Sequence, residues 1–294
     1  MIDKLEMFIA LAQARHFGRA AAAMGVSQPS LSAAIRSLEE ELGVMLVLRG
    51  SRYGGLTPEG KRVLDWARRI VGDARTMRQE LRAARQGLAG NVRLAVVPTA
   101  LTVAAQLTTS FVRAHPDVHF ILLSSTSADI LQSLEDLQID AGISYLDNEP
   151  LGRVVTVPLY AERYALILRA DAPLAAAVSV RWADLGALPL CLLTPDMQNR
   201  RIIGGHLAEA GVTVSPAIET NSTIVLIAHV LAGGHATILP SRAAEIFLAD
   251  PQLRAVPITD PDATHAVGLI APLREPHTPV IAALLQEARR IGTA

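Results

Sequence analysis

The sequence lacks most of the residues and motifs on which metal binding, disulfide formation and catalysis depend. Its 294 residues include only one cysteine, Cys191, which excludes an internal disulfide and a cysteine-rich zinc site. We expect this thiol to be inert core, with a redox-sensing role as the minority alternative. The motifs G-x-S-x-G, H-E-x-x-H, C-x-x-C, the P-loop and a strand-linked G-x-G-x-x-G are all missing. We therefore predict no catalytic residues, no metal and no cofactor.

Targeting and membrane signals are also missing. The first residues, MIDKLEMF, carry acidic side chains and no basic region before an apolar run, unlike a secretory signal. The most apolar later stretch, residues 222–239, is interrupted by two histidines and two glycines, which argues against a membrane span. We expect a cytoplasmic protein with no membrane partner.

Charge is distributed unequally along a chain whose net charge is only −1. Residues 1–90 hold 14 Lys and Arg against 9 Asp and Glu, whereas residues 91–294 hold 13 against 19. A basic front and an acidic back suit a protein whose first part meets a polyanion. A solvated basic face explains the same numbers, so this signal is weak alone.

The first sixty residues show the pattern of a helix-turn-helix. Helical spacing over residues 3 to about 15 and 19–24 is followed by Gly25, which suits a helix end. A third helix, about 28–42, has a cap at Ser27, Pro29 in its first turn, and one apolar stripe formed by Leu31, Ile35, Leu38 and Leu42. The polar face opposite this stripe carries Gln28, Ser32 and Arg36, with Ser30 near the helix start. A recognition helix has this geometry, but an ordinary helical hairpin with a polar solvent face explains the pattern about as well.

A hairpin is predicted next. Residues 44–48 have the composition of a strand, residues 49–55 form a glycine-rich tip with Arg49 and Arg52, and Thr57-Pro58-Glu59 begins a new helix. Arginines at such a wing bind phosphate or the minor groove, although a solvated hairpin tip is an equal alternative.

These residues resemble a known family. The string AAAAMGVSQPSLSAAIRSLEEELGVMLVLR followed by LTPEGK is similar to the signature of LysR-type transcriptional regulators, and the resemblance covers the whole chain. Ala33 and Ala34 depart from it where polar or basic residues are frequent, and Val47 stands where phenylalanine is usual. The resemblance implies a winged helix-turn-helix over residues 1–58, with DNA contacts from Ser27, Gln28, Pro29, Ser30, Ser32, Arg36, Arg49 and Arg52.

The segment 59–88 is predicted to be a linker helix. Steps of three and four residues describe an apolar seam, consisting of Leu64, Ala67, Val71, Ala74, Met77, Leu81, Ala84 and Leu88. A partner helix is the natural cover for so long a seam, and packing on the chain's own sensor domain is the alternative. The family resemblance implies a homodimer through this helix, a homotetramer as the assembly, a roughly palindromic double-stranded DNA operator, and RNA polymerase as a further candidate partner.

Residues 91–294 alternate apolar strands with helices, which predicts a mainly parallel sheet covered on both faces. We interpret them as two α/β lobes, 91–161 with 267–294, and 162–266. The fold class is therefore multi-domain α/β, with a two-lobed effector domain that resembles periplasmic binding proteins.

Ligands of open α/β sheets bind at the carboxyl ends of strands, beside helix N-termini. This rule selects loops rich in hydroxyl and amide groups as an effector site for a small anion. The predicted effector residues are Pro98, Thr99, Ala100, Ser125, Thr126, Ser127, Ser144, Thr194, Met197, Asn221 and Thr223. Each Ser or Thr alone is more simply explained as a helix cap. Arg200 and Arg201 are candidate countercharges, though solvated arginines are the simpler interpretation, and His206, His229 and His235 lack metal-ligand spacing.

The function predicted is a DNA-binding transcriptional regulator controlled by a small-molecule effector, for which a small carboxylate such as formate is a guess. A ligand-independent DNA-binding protein is the main alternative. A two-lobed enzyme and a solute-binding protein are disfavoured by the basic head.

Overall fold

The computed structural model describes residues 1–48 and 53–292, which divide into two compact units. The first unit consists of residues 1–87 with the short segments 135–138 and 275–279, and the second contains nearly all the remaining residues. Within the described ranges no helix is both long and apolar enough to cross a bilayer.

Four helices build the first unit, hereafter the head. They are α1 (Ile2–Ala14), α2 (Phe17–Ala23), α3 (Gln28–Leu42) and α4 (Pro58–Gln86). The predicted turn between α2 and α3 is present: Gly25 has φ +67°, and the Val26 amide donates to the Ala21 carbonyl oxygen. Because that φ favours glycine, the residue ends α2 without strain.

The apolar stripe of α3 is shorter than predicted. Leu31, Ile35 and Leu38 are buried against α1 and α2 in the core of the head, but Leu42 is exposed. Gly43 ends α3 with φ +67°, so the chain turns away before the last leucine can reach the core.

The predicted strand over residues 44–48 is reduced to one isolated bridge, between Val47 and Leu56. The reason lies in Glu39 on α3, whose Oε1 accepts the amides of Leu46 at 2.7 Å and Val47 at 3.2 Å. These bonds hold the start of the predicted hairpin against α3.

The linker helix α4 contributes to the head as well as extending from it. Thr57 caps it by accepting the Gly60 amide at 2.8 Å, and a Cβ at Gly60 would overlap the Leu46 carbonyl oxygen. Leu64, Ala67 and Val71 are buried in the head's own core, which corrects the prediction that they face a partner helix. The large apolar residues left exposed on α4 are Trp66, Ile70, Met77 and Leu81, and the small Ala84 is exposed as well.

The second unit, hereafter the sensor, contains a five-stranded sheet with strand order β2-β1-β3-β11-β4. Its strands are β1 (Gly90–Val96), β2 (Val118–Ser124), β3 (Ala141–Tyr145), β4 (Val154–Glu162) and β11 (His265–Pro272). Helices α5 (Leu101–Ala114), α6 (Ser127–Glu135) and α10 (Pro279–Gly292) belong to the same lobe, hereafter lobe 1.

The other lobe, lobe 2, contains a four-stranded sheet with order β6-β10-β5-β9 and a two-stranded parallel pair β7-β8. Its strands are β5 (Tyr164–Arg169), β6 (Val180–Arg181), β7 (Cys191–Leu193), β8 (Ile218–Thr220), β9 (Thr237–Pro240) and β10 (Leu253–Thr259). Its helices are α7 (Gln198–Glu209), α8 (Thr223–Ala232) and the single turn α9 (Ser241–Ala244).

The prediction of mainly parallel sheets is wrong for much of the sensor. Strands β1, β2 and β3 are parallel, but β11 pairs antiparallel with β3 and β4, and β5 pairs antiparallel with β9 and β10. The chain crosses between lobes at Arg163, directly between β4 and β5, and again after β10. The first strand after each crossing, β5 or β11, pairs antiparallel with its neighbours. The apolar pattern of the sequence does not specify this direction.

Candidate functional site

The candidate DNA-reading surface is the outer face of α3. Gln28, Pro29, Ser30 and Arg36 are exposed and Ser32 is half-buried, on the side away from the core leucines. Ser27 caps the helix, since its Oγ accepts the Ser30 amide at 3.2 Å and lies 2.8 Å from Ser30 Oγ. The helix N-terminus therefore presents polar groups on a rigid, capped turn. Arg49 and Arg52 lie outside the described residues.

The second candidate site lies in the sensor, where helix α7 of lobe 2 contacts lobe 1. Arg201 on α7 forms a bidentate ion pair with Glu149, with Nε–Oε1 at 2.7 Å and Nη2–Oε2 at 2.9 Å. The same Nη2 lies 3.4 Å from Oγ of Ser127, a predicted effector residue that is buried at the start of α6. Arg201 is thus paired with Glu149, while its side chain stays exposed as the simpler expectation had it.

A buried set of hydrogen bonds also joins α7 to lobe 1. It is centred on Tyr145, the last residue of β3. The Tyr145 hydroxyl donates to Glu162 Oε1 at 3.0 Å and accepts from Asn199 Nδ2 at 3.1 Å. Thr99, a predicted effector residue, places its Oγ1 3.3 Å from the same hydroxyl. Since Asn199 lies on α7, this network joins the two lobes.

Glu162 carries the most unusual electrostatics of the sensor. It is 1% exposed, and burial raises its pKa to about 8 from an ordinary value of 4.5. The hydrogen bond from Tyr145 lowers this pKa and the charge of Asp147 raises it further. Desolvation dominates because a carboxylate loses its hydration in the core, and so Glu162 holds a proton at neutral pH.

Several buried polar atoms around the cleft have no hydrogen-bond partner among residues 1–48 and 53–292. They include Asn199 Oδ1, Ser144 Oγ and Thr194 Oγ1. An unsatisfied polar atom costs free energy when buried, so each of these atoms is a position at which water or a ligand can complete the bonding.

The structure brings together only part of the predicted effector set. Thr99 and Ser127 contact the interlobe network directly, and Pro98 and Ala100 are buried beside Thr99 in a 3-10 turn. Thr126 is a helix cap, because its Oγ1 accepts the Asp129 amide at 3.1 Å. Ser125 is half-buried, and its amide donates to the Val96 carbonyl oxygen.

The remaining predicted residues are placed differently. Ser144 lies within β3 instead of after it, and is fully buried. Met197 packs into an apolar core of lobe 2 that includes Leu193 of β7 and Leu226 of α8. Asn221 is exposed before α8, and Thr223 is half-buried in its first turn.

Sequence reasoning missed Glu149 and His265, which the fold brings to α7, and Glu162, which it brings to Tyr145. The available signal at Glu162 was an acidic residue between two apolar strands, in the string PLYAERYALIL. Arg200, the other candidate countercharge, points away to Glu219 at 3.8 Å. In the part of the chain that the structure describes, no group of three or more His, Cys, Asp or Glu side chains is arranged to hold a metal ion.

Cys191 is fully buried on β7, with Sγ 3.5 Å from the Ala236 carbonyl oxygen and 3.7 Å from that of Leu226. Burial raises the pKa of this thiol, which disfavours the reactive thiolate. The environment fits the expected inert core position.

A helix-turn-helix head and a two-lobed α/β sensor with an interlobe polar site define a class, that of effector-responsive DNA-binding regulators. The family model of bacterial regulatory helix-turn-helix proteins of the lysR family matches residues 2–61, and that of the LysR substrate binding domain matches residues 85–292. This chain belongs to the LysR family; it is a DNA-binding transcriptional regulator with an effector-binding domain and not an enzyme. The predicted family, fold class and regulatory function are confirmed.

Named relatives agree with this assignment. The hydrogen peroxide-inducible genes activator of Dickeya chrysanthemi is 30% identical over 284 residues, which cover 93% of this chain and 91% of that protein. A cysteine variant of full-length OxyR from Pseudomonas aeruginosa has a TM-score of 0.77 with 26% identity, over 98% of this chain and 94% of that one. Full-length CbnR in complex with its target DNA has a TM-score of 0.62 with 25% identity, over 99% of each chain.

Proposed function

We propose that this regulator binds a roughly palindromic operator as a homodimer, with α3 of each subunit in the major groove. Gln28 is suited to read a base edge, because an amide can bond bidentately to adenine. Ser27, Pro29, Ser30, Ser32 and Arg36 then contact bases or phosphates around it. Arg49 and Arg52 remain the proposed wing contacts. We expect it to act in the cytoplasm, where its DNA target lies.

The exposed apolar stripe of α4 supports a dimer through the linker helix. Trp66, Ile70, Met77 and Leu81 follow one another at steps of four and seven residues, and Trp66 and Leu81 are 61% and 64% exposed. The helix has 29 residues and is therefore about 43 Å long, enough for an extended two-helix contact. A twofold contact of this kind sets the distance between two DNA-reading heads.

A homotetramer requires a second interface, and the sensor carries candidate apolar side chains for one. Val112, Leu122, Ile224 and Val225 are exposed on α5, β2 and α8. RNA polymerase is the expected partner of the bound assembly, because the chain regulates transcription.

We further propose that the effector is a small carboxylate bound between the lobes. The observation that carries this proposal is the Arg201–Glu149 pair, in which the guanidinium already holds a carboxylate bidentately beside Ser127. Both side chains are partly exposed. An exposed pair contributes little stability, so an incoming carboxylate can displace Glu149 at low cost.

Thiol oxidation is disfavoured as the input signal, although one relative is named for hydrogen peroxide. With one cysteine in the whole chain, no intramolecular disulfide can form. Its burial and raised pKa also disfavour oxidation. A bound molecule is therefore the better proposal.

The proposal is tested by thermal shift of the full-length protein with formate, acetate, longer carboxylates, phosphate and sulfate. A true effector stabilises the fold by RT ln(1 + [L]/Kd), about 2.7 kcal/mol at a hundredfold excess over Kd. We expect Arg201→Gln to abolish the shift and Arg200→Gln, whose side chain points to Glu219, to retain it. A hit that survives Arg201→Gln would place the effector elsewhere. Absence of any hit, together with intact operator footprinting, would favour the ligand-independent alternative.

A further inference from the structure

Two histidines from different lobes meet in the sensor, separately from the Arg201–Glu149 pair. His206 lies on α7 in lobe 2, and His265 is the first residue of β11 in lobe 1. Their Nε2 atoms are 2.9 Å apart, and both side chains are nearly buried. At this distance one Nε2 must carry a hydrogen and the other must accept it.

The neighbours of the pair define the direction of the hydrogen bonds. Asn148 Nδ2 lies 2.9 Å from His265 Nδ1, and Glu209 Oε2 lies 3.4 Å from His206 Nδ1. If Asn148 donates to His265, then His265 donates through Nε2 to His206, and His206 donates through Nδ1 to Glu209. This chain of donors spans the two lobes with both rings neutral.

Acidic and aromatic side chains from several elements face the His206–His265 pair. Asp147, in the loop after β3, has Oδ2 3.4 Å from His265 Nδ1, and Tyr164 on β5 has its ring 5.9 Å from that of His265. Trp182, in the 3-10 turn after β6, stacks 4.9 Å from the His206 ring. Glu209 on α7 completes the set of charged neighbours, and Glu162 and Tyr145 lie behind Tyr164 in the buried network.

We propose that the His206–His265 pair is a proton-operated latch, which joins the two lobes when it carries at most one positive charge and releases them when both rings are protonated. A first proton taken from solvent is accommodated, because an imidazolium Nε2–H can donate to the neutral ring. A second proton leaves two N–H donors face to face and two positive charges in contact. The lobes then separate at this point, which gives the regulator acidity as a second input.

The electrostatics around His265 support release on acidification. Burial lowers the pKa of His265 below 6.5, and the charge of His206 lowers it further. Asp147 and Glu209 act in the opposite direction, since their negative charges favour the protonated ring. The two Nε2 atoms are only 2.9 Å apart, so a positive charge on one ring opposes a second charge on the other. This inference needs only the two-lobed sensor and does not rest on the carboxylate proposal.

The protein itself carries a reporter for the test. The chain has two tryptophans, so Trp66→Phe leaves Trp182 alone, 1% exposed and stacked on His206. Full-length Trp66→Phe protein, without added ligand, is titrated from pH 8 to pH 5 while its fluorescence and its quenching by acrylamide are measured. Imidazolium quenches indole, so we expect fluorescence to fall on acidification. Acrylamide quenching of Trp182 should rise severalfold in the same range, since separation of the lobes exposes it.

Single substitutions test whether the pH-dependent change arises from the His206–His265 pair. We expect His265→Gln and His206→Gln to remove the coupled pH step, whereas His229→Gln should retain it, because His229 faces His235 with ring centroids 6.1 Å apart and belongs to α8. Circular dichroism at pH 7.5 checks that each variant is folded. Should both latch variants fail to fold, the acrylamide titration of the Trp66→Phe parent still decides: constant accessibility from pH 8 to pH 5 overturns the proposal. A step that persists unchanged in folded His265→Gln overturns it as well.

Discussion

The proposed DNA-reading face of the head and the interlobe site of the sensor are built in different ways. In the head, the polar residues Gln28 to Arg36 come from one helix, point outward, and depend on the buried leucines beneath them. In the sensor, Thr99, Tyr145, Glu162, Asn199 and His265 come from five separate segments and are buried.

This difference determines how each site responds to change. An exposed polar side chain on a helix can be replaced at little cost to folding, so its loss affects mainly binding. A buried polar side chain is held by hydrogen bonds that replace water, so its loss or its change of charge affects stability as well. The head therefore separates folding residues from binding residues, and the sensor combines the two roles.

The largest expected effect is on stability. It tests whether buried and exposed residues of α3 differ in their importance for folding. Leu38 is 0% exposed and Leu42 is 40% exposed on the same helix. We expect Leu38→Ala to lower the free energy of unfolding of the head by about 2–5 kcal/mol, because it leaves a cavity, and Leu42→Ala to cost less than about 1 kcal/mol. Calorimetry of both variants measures this. Equal losses in the two would mean that α3 is not held by this stripe.

A second, smaller effect tests whether the buried Glu162 of the sensor makes the stability of the protein depend on pH. The folded pKa of Glu162, about 8, lies above its ordinary value of 4.5, so the folded chain binds more protons than the unfolded chain between these values. Its contribution is complete below pH 4.5 and is lost as pH rises through 8, with a slope of up to about 1.4 kcal/mol per pH unit.

The isosteric change Glu162→Gln removes this titration. Urea unfolding from pH 6.5 to pH 8 should show a flatter pH dependence for Glu162→Gln than for the parent. The exposed control Glu245→Gln should keep the slope of the parent. An identical slope in Glu162→Gln and the parent would show that Glu162 is ionised in the folded protein.

The third expected effect is on the specificity and affinity of DNA binding by α3. We expect Gln28→Ala to reduce discrimination between operator sequences by about 1–3 kcal/mol, because a bidentate base contact is lost. Arg36→Ala should instead weaken all sequences similarly and reduce the salt slope by about one unit. Footprinting and binding at several salt concentrations measure both, with unchanged thermal stability as the control. A uniform loss in Gln28→Ala would assign that residue to phosphate contact.

The helices of the head follow from local rules that the sequence carries in full. The spacing of Leu31, Ile35 and Leu38, the cap at Ser27 and the stop at Gly25 specify α2 and α3 because helical periodicity and capping depend on neighbours within four residues. The same rules placed Thr99 and Ser127 at the ends of sensor strands, where they are found. Strand direction could not be predicted from the sequence, because an apolar run has the same pattern in parallel and antiparallel sheets.

The sequence by itself thus determined the family, the head and the loops that surround the cleft. Only the tertiary structure decided that Arg201 meets Glu149, that Tyr145 meets Glu162, and that His206 meets His265. These partners are 52, 17 and 59 residues apart. No local periodicity links positions so distant, and their protonation depends on burial that exists only once the two lobes have packed together.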